Sequence, residues 1–171
     1  MFMGVDPALR ENGFWVAVLD RNANTITFQP IKHLGKFVKL LNDVRPCAVY
    51  VENSNLEKRI YKVKDKNGNL KDGNQIAVGK NMGVSQSAAD IADEYSAFPS
   101  GISPTQKGAK ITNEPIFLGI LKANGIQPIG YKAGTGAAQD QRDAAKLAII
   151  CEQQFNLKIR GNLHVREFMD L

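Results

Sequence analysis

"MFMGVDPALRENGFWVAVLD", residues 1–20, holds two apolar runs separated by one short polar link. "MFMGVD" reads as a short strand ending at Asp6. "GFWVAVLD" (13–20) reads as a second strand, apolar on both faces and therefore internal to a sheet. Working outward, "NTITFQPIK" (24–32) alternates more cleanly, and Pro30 removes a ladder donor, which suits an edge strand. Three strands on short links predict an antiparallel meander. Leu34, Phe37, Val38, Leu41 and Val44 then recur at helical spacing, stopped near Pro46. "CAVYVEN" (47–53) is the next strand, continuous, apolar and read as central. It runs straight into Glu52.

After Glu52 the pattern changes. "SNLEKRIYKVKDKNGNLKDGN" (54–74) is polar and basic, and its "NGN" is a turn signal. It reads as an excursion, in the manner of a hairpin, above the sheet. Helical periodicity returns over residues 75–98, with Val84, Ala88, Ile91 and Tyr95 on one face. Gly79 and Gly83 stand one turn apart near its start, at a cost of roughly 1 kcal/mol each. That cost predicts close approach of another backbone, whether protein or nucleic acid. "FPSGISPTQKGAKITN" (98–113) is loop-rich with room for one short strand. "EPIFLGILKANG" (114–125) reads as a helix, Pro115 in its first turn and Gly125 past its end. "IQPIGYKAGTGAAQ" (126–139) is a link of no clear structure, and the tail from Leu157 onward has no single reading. The order predicts one α/β domain over residues 1–171, with a basic excursion at about 54–74. Its sheet is mixed and five-stranded, a meander followed by parallel strands, flanked by helices.

Bulk composition narrows the classes. The chain has 171 residues, 43% of them apolar and 23% charged, enough for one ordinary core. No apolar run approaches the length that spans a bilayer, and the first residues lack the basic and apolar regions of a signal peptide. A cytoplasmic protein with no membrane partner is expected. Cys47 and Cys151 both lie in apolar runs, which predicts buried thiols in a reducing compartment. The formal charge is +5, from 22 basic and 17 acidic residues. Between Glu57 and Asp72, six Lys or Arg face three acids. Lys58, Arg59, Lys62 and Lys64 in that segment suit sequence-independent phosphate contacts, though a solvated loop has the same composition.

The closing helix poses the sharpest question. Ala144, Leu147, Ala148, Cys151 and Phe155 form one apolar stripe. Extended towards the N-terminus, the stripe runs through Asp143 and Asp140. Burying a lone carboxylate costs several kcal/mol unless its charge is offset. If the first strand neighbours the strand of Glu52, Asp6 and Glu52 emerge side by side, and a helix packed there brings Asp140 and Asp143 over them. Singly, each acid has an ordinary role: Asp6 as a turn starter, Glu52 as a strand end, Asp140 and Asp143 as first-turn residues favoured by the helix dipole. Jointly, four carboxylates cannot share a spot while all ionised unless cations join them. Hard oxygen ligands suit Mg²⁺ or Mn²⁺. Two such ions about 4 Å apart activate a water and stabilise the leaving oxygen of a phosphodiester.

The chain also resembles a known family. "GVDPALRENGFWVAVLD" resembles the opening of RuvC-type Holliday junction resolvases, "AVYVEN" their second acidic strand, "VGKNMGVSQSAADIA" their long helix, and "DQRDAAKLAII" their closing acidic helix. The matches fall in family order and span nearly the whole chain. The resemblance implies an RNase H-like fold, a homodimer, and Mg²⁺-dependent paired nicking of four-way DNA junctions, with Mn²⁺ substituting. It also implies that Asp6, Glu52, Asp140 and Asp143 hold two ions per active site. The segment after Glu52 is longer and more basic than the family's corresponding loop, as in a divergent, viral-like member working in a host cytoplasm. Lys107 and Lys110 lie where the family places lysines near the scissile phosphate, and one of them is expected to stabilise the transition state. Arg10 is a candidate for the DNA backbone beside the metals, and Tyr61 for stacking on an unpaired base. Gly79 and Gly83 are candidates for letting a strand approach the helix. Other readings keep the fold and change the substrate to an RNA/DNA hybrid, a flap, other branched DNA or a linear duplex, or make the chain a junction binder without catalysis. An actin-like ATPase needs two large lobes, and no "GxxxxGK[ST]" pattern is present.

Overall fold

Strand alternation sorts the first residues between two layers. Phe2 packs into one core with Trp15, Ala17 and Leu19, while Met3 and Val5 pack into another with Phe14, Val16 and Val18. A sheet covered by apolar layers on both sides follows from that pattern. The structure, a computed structural model, describes residues 1–10, 13–56, 62–64, 70–72 and 75–169, and gives residues 8–10, 62–64, 70–72, 75–78 and 159–169 as backbone path alone. Its elements are β1 (Phe2–Arg10), β2 (Gly13–Asp20), β3 (Thr25–Ile31), α1 (Leu34–Val44), β4 (Ala48–Glu52), β5 (Lys62–Lys64), β6 (Leu70–Asp72), α2 (Gln75–Asp93), β7 (Gly101–Ile102), α3 (Pro104–Lys107), α4 (Glu114–Ala123), β8 (Gln127–Ile129) and α5 (Ala138–Met169).

The main sheet has six strands in the order β7-β4-β1-β2-β3-β8. β1, β2 and β3 form the expected antiparallel meander. β4 lies parallel to β1, β7 parallel to β4, and β8 parallel to β3. The fold is therefore α/β with a mixed sheet and helices on both faces. On one face α5 covers β1, β2 and β4; on the other α2 packs on β1 and β4 and against α1. The long first part of α5 is buried at Ala144, Ala145, Leu147, Ala148 and Cys151. Phe155, farther along, meets the rings of Phe2 and Phe98 edge-on, with centroids 5.3 and 5.7 Å away. β5 and β6 pair antiparallel as a separate two-stranded ladder, so the described part of the basic excursion is a hairpin.

Five expectations need correction. The sheet has six strands rather than five, because β8 pairs with β3 inside the link over residues 126–139. β3 is consequently not the edge; β8 covers it over Thr25–Thr27, and Pro30 sits beyond that pairing, where its missing donor costs nothing on that side. β4 is one place in from the edge, and the middle of the sheet belongs to β1 and β2. β1 does not end at Asp6 but continues to Arg10 after a register shift between those residues. Cys47 is exposed, since it lies just before β4, while Cys151 is buried as expected and burial pushes its thiol up to about 12. The tail that had no single reading continues α5 as far as Met169. No helix among the described residues is long and apolar enough to cross a membrane.

Candidate functional site

Two neighbouring strands bring the first pair of acids together. Val5 of β1 pairs in parallel register with Val51 of β4, so Asp6 and Glu52 follow at the same level. Because alternate residues share a face, both carboxylates stand on the α5 side, in line with Gly4 and Tyr50. Gly4 sets how near α5 can come. A Cβ there would lie 2.1 Å from the carbonyl oxygen of Ala144 and 2.3 Å from the amide nitrogen of Ala148. No side chain fits that gap, and the helix backbone rests directly on the strand. This contact places Asp140 and Asp143, in the opening turns of α5, over the strand ends.

The result is a cavity of about 210 Å³ lined by Asp6, Glu52, Asp140, Asp143, Lys107 and Lys110. Pro7, Ser54, Asn81 and Ser85 complete its wall. Asp6, Asp140 and Asp143 are 6%, 3% and 1% exposed. Such crowding has an electrostatic signature. The Asp6 carboxyl is raised to about 7, first by burial and then by the charge of Glu52, with Lys107 opposing and Asp143 and Asp140 adding to the rise.

The two lysines arrive by a short capped turn. Ser103 caps α3: its hydroxyl accepts from the Gln106 amide, and the Gln106 side chain accepts from the Ser103 amide. Gly108, at φ 74°, ends the turn. Lys107 is thereby turned inward, almost wholly buried, while Lys110 is 61% exposed by its side chain at the cavity mouth. Lys107 Nζ donates to Glu52 Oε2 and stands 3.7 Å from Asp143 Oδ2. Lys110 Nζ stands 3.6 Å from the same Asp143 oxygen. Burial disfavours the Lys107 ammonium, but the hydrogen bond to Glu52 and the charges of Glu52, Asp143 and Asp6 outweigh it and hold its pKa above the ordinary lysine value.

Residues that the sequence did not single out hold this arrangement. Arg142, also buried, donates to the carbonyls of Ile111 (2.8 Å) and Thr112 (3.3 Å), to Glu114 (3.3 Å), to the Tyr131 hydroxyl (2.8 Å) and to Gln139 (3.1 Å). One turn on, Lys146 donates to the carbonyl of Ala109 at 2.6 Å. The two side chains thus grip the backbone on both sides of Lys110. Gln141 accepts from the Lys132 amide and donates to the Gly130 carbonyl, tying down the link ahead of α5. The signal was present in "QDQRD": a helix whose opening turn is polar on every face while its continuation is apolar must spend those polar groups on neighbours.

Of the other expected site residues, Arg10 lies on β1, and Lys62 and Lys64 on β5, with side chains outside the described residues. Lys58, Arg59 and Tyr61 lie outside the described residues altogether. Gly79 and Gly83 lie on α2, where an added Cβ would meet no atom of the described residues within 4 Å.

The donor set suits a hard divalent cation: among the described residues, four carboxylates and no thiol or imidazole line the cavity. Asp143 Oδ2 supports the same view, since it is buried and accepts no hydrogen bond. Yet, as the side chains stand, no three His, Cys, Asp or Glu residues among those described close into a coordination shell. Lys107 stands between Glu52 and Asp143. No family model, curated protein or solved structure matches this chain.

Proposed function

We propose that the chain is a metal-dependent, structure-selective DNA endonuclease that resolves four-way junctions by paired nicks, a divergent RuvC-like resolvase on an RNase H-like fold. The observation that carries this reading is the meeting of Asp6, Glu52, Asp140 and Asp143 with two lysines in one cavity. A protein that only bound DNA would gain nothing from carboxylates turned towards phosphates, whereas a phosphodiesterase needs them to hold cations. Asp6, Glu52, Asp140 and Asp143 would hold Mg²⁺ or Mn²⁺, two ions per site. Bound there, such ions activate water and neutralise charge that builds on the phosphate.

The chain's own groups supply the rest. Lys110, at the mouth, is placed to meet a non-bridging phosphate oxygen and to stabilise it as its charge grows. Ser54 and Asn81, both half-buried on the cavity wall, offer neutral hydrogen bonds to the entering backbone. The basic hairpin around β5 adds sequence-independent phosphate contacts, with the steep salt dependence that these entail. Gly79 and Gly83, whose added Cβ atoms would meet no atom of the described residues within 4 Å, offer places on α2 where a strand can approach. Paired nicks require two sites, so a homodimer belongs to the proposal.

The test is a cleavage panel in Mg²⁺: a four-way junction, an RNA/DNA hybrid and a linear duplex of one sequence, with Asp6→Asn as control. Paired nicks in the junction, lost in Asp6→Asn while junction binding persists, are expected. Cutting of the hybrid alone would reassign the substrate, and cutting unchanged in Asp6→Asn would remove the active site from this cavity.

A further inference from the structure

Lys107 is difficult to explain as a phosphate contact where it stands. It is 4% exposed, and its ammonium donates to Glu52 and faces Asp143. Lys110, three residues on, already occupies the mouth. The carboxylates line one cavity but do not close into a coordination shell, and the group between two of them is this ammonium. Meanwhile Asp143 Oδ2 is buried without a hydrogen bond and meets the Lys107 and Lys110 ammoniums only at 3.7 and 3.6 Å.

Resting on the reading of this cavity as a divalent-cation site, we infer that Lys107 is an internal counter-cation that competes with the metal. It balances Glu52 and Asp143 until divalent ions load, and loading displaces its ammonium from between them. Charge makes the exchange coupled. A buried ammonium is tolerated beside carboxylates but is repelled once dications sit on the same oxygens. The side chain can make the move, because lysine carries a compact charge on a flexible four-carbon stem. Its anchor is the last residue of a four-residue helix ended by Gly108 at positive φ. Once displaced, the ammonium turns into the cavity that it lines together with Lys110, where the phosphate would enter. The same lysine thus holds the acids together without metal and turns towards substrate with it, so that cutting competence follows cation loading.

Two measurements test this without DNA. In the first, wild-type protein is pulsed with an amine-acylating reagent in EDTA and in Mn²⁺, and modification is read at each lysine by mass spectrometry. Exposed Lys122, which does not line the cavity, serves as the internal reference. Lys107 is expected to be protected in EDTA and to react roughly tenfold faster, relative to Lys122, when Mn²⁺ is present. A rate that stays equal or falls overturns the inference. In the second, Mn²⁺ binding to Lys107→Met is compared with wild type by calorimetry. Removing the competitor is expected to tighten binding by roughly tenfold to a hundredfold; unchanged or weaker binding overturns the inference. The wild-type measurement stands even if the variant fails to fold. Junction cutting in the same Mn²⁺ buffer separates the two ideas. Cutting with Lys107 still protected defeats only the counter-cation, and Lys107 release without cutting defeats only the nuclease.

Discussion

The two faces of β1 and β4 are built from the same strands and do opposite work. Met3, Val5, Val49 and Val51 point to α1 and α2 and form a dry apolar core. Phe2, Gly4 and Asp6 of β1, with Ala48, Tyr50 and Glu52 of β4, point to α5. On that second face the strands begin apolar, narrow to a glycine and end in carboxylates. A single side-chain alternation therefore separates structure from chemistry, and the helix that closes the polar face changes character in step. Its buried side carries Asp140 and Asp143 in the first turns and Ala144, Leu147, Ala148 and Cys151 after them.

Substitutions on the two faces should behave differently. Gly4→Ala drives a methyl into the backbone of α5. It is expected to cost on the order of 4 kcal/mol or to abolish folding, read by urea unfolding. Val5→Ala, next door on the other face, leaves only a cavity and should cost about 2 kcal/mol. Equal losses would mean that α5 relaxes away from β1.

Asp6 gives the reverse sign. Its carboxyl sits at about 7 in the fold and near 3.8 when exposed. The folded chain therefore binds the proton more tightly than the unfolded chain. Stability from this group is full below pH 4 and is lost as pH rises towards and through 7. In EDTA at pH 8, Asp6→Asn should be more stable than wild type, by on the order of 3 kcal/mol, while losing all response to Mn²⁺. A variant less stable than wild type under those conditions would show that the acids do not strain one another.

The grip around Lys110 is a smaller effect. Arg142→Met leaves the Ile111 and Thr112 carbonyls without their donor and should cost about 2 kcal/mol. Lys146→Met should cost only about 0.5 kcal/mol. It should still slow cutting, and in a Lys110→Ala background the slowing should disappear. Persistence in that background would mean that Lys146 does not act through Lys110.

Much of this was legible before any coordinates. The apolar stripe of α5 running back through Asp143 and Asp140, and the acids at Asp6 and Glu52, depend on local periodicity, which a sequence displays directly. β8 did not appear, because three residues with a proline at the centre carry no period. The continuation of β1 past Asp6 was masked by Pro7, which reads as a turn. Lys107 and Lys110 looked equivalent, two lysines three apart, and only the turn set by Ser103 and Gly108 separates the buried one from the exposed one. Arg142 could not be assigned, since its acceptors come from α4 and from loops on both sides of it.

The central claim is that acids scattered from residue 6 to residue 143 form one divalent-cation site. The most direct test is a crystal grown with Mn²⁺ and examined by anomalous scattering. The account predicts strong peaks inside the cavity, ligated by Asp6, Glu52, Asp140 and Asp143, with the Lys107 ammonium moved out from between Glu52 and Asp143. Peaks only elsewhere on the surface, or none, with these four carboxylates unchanged, would contradict it.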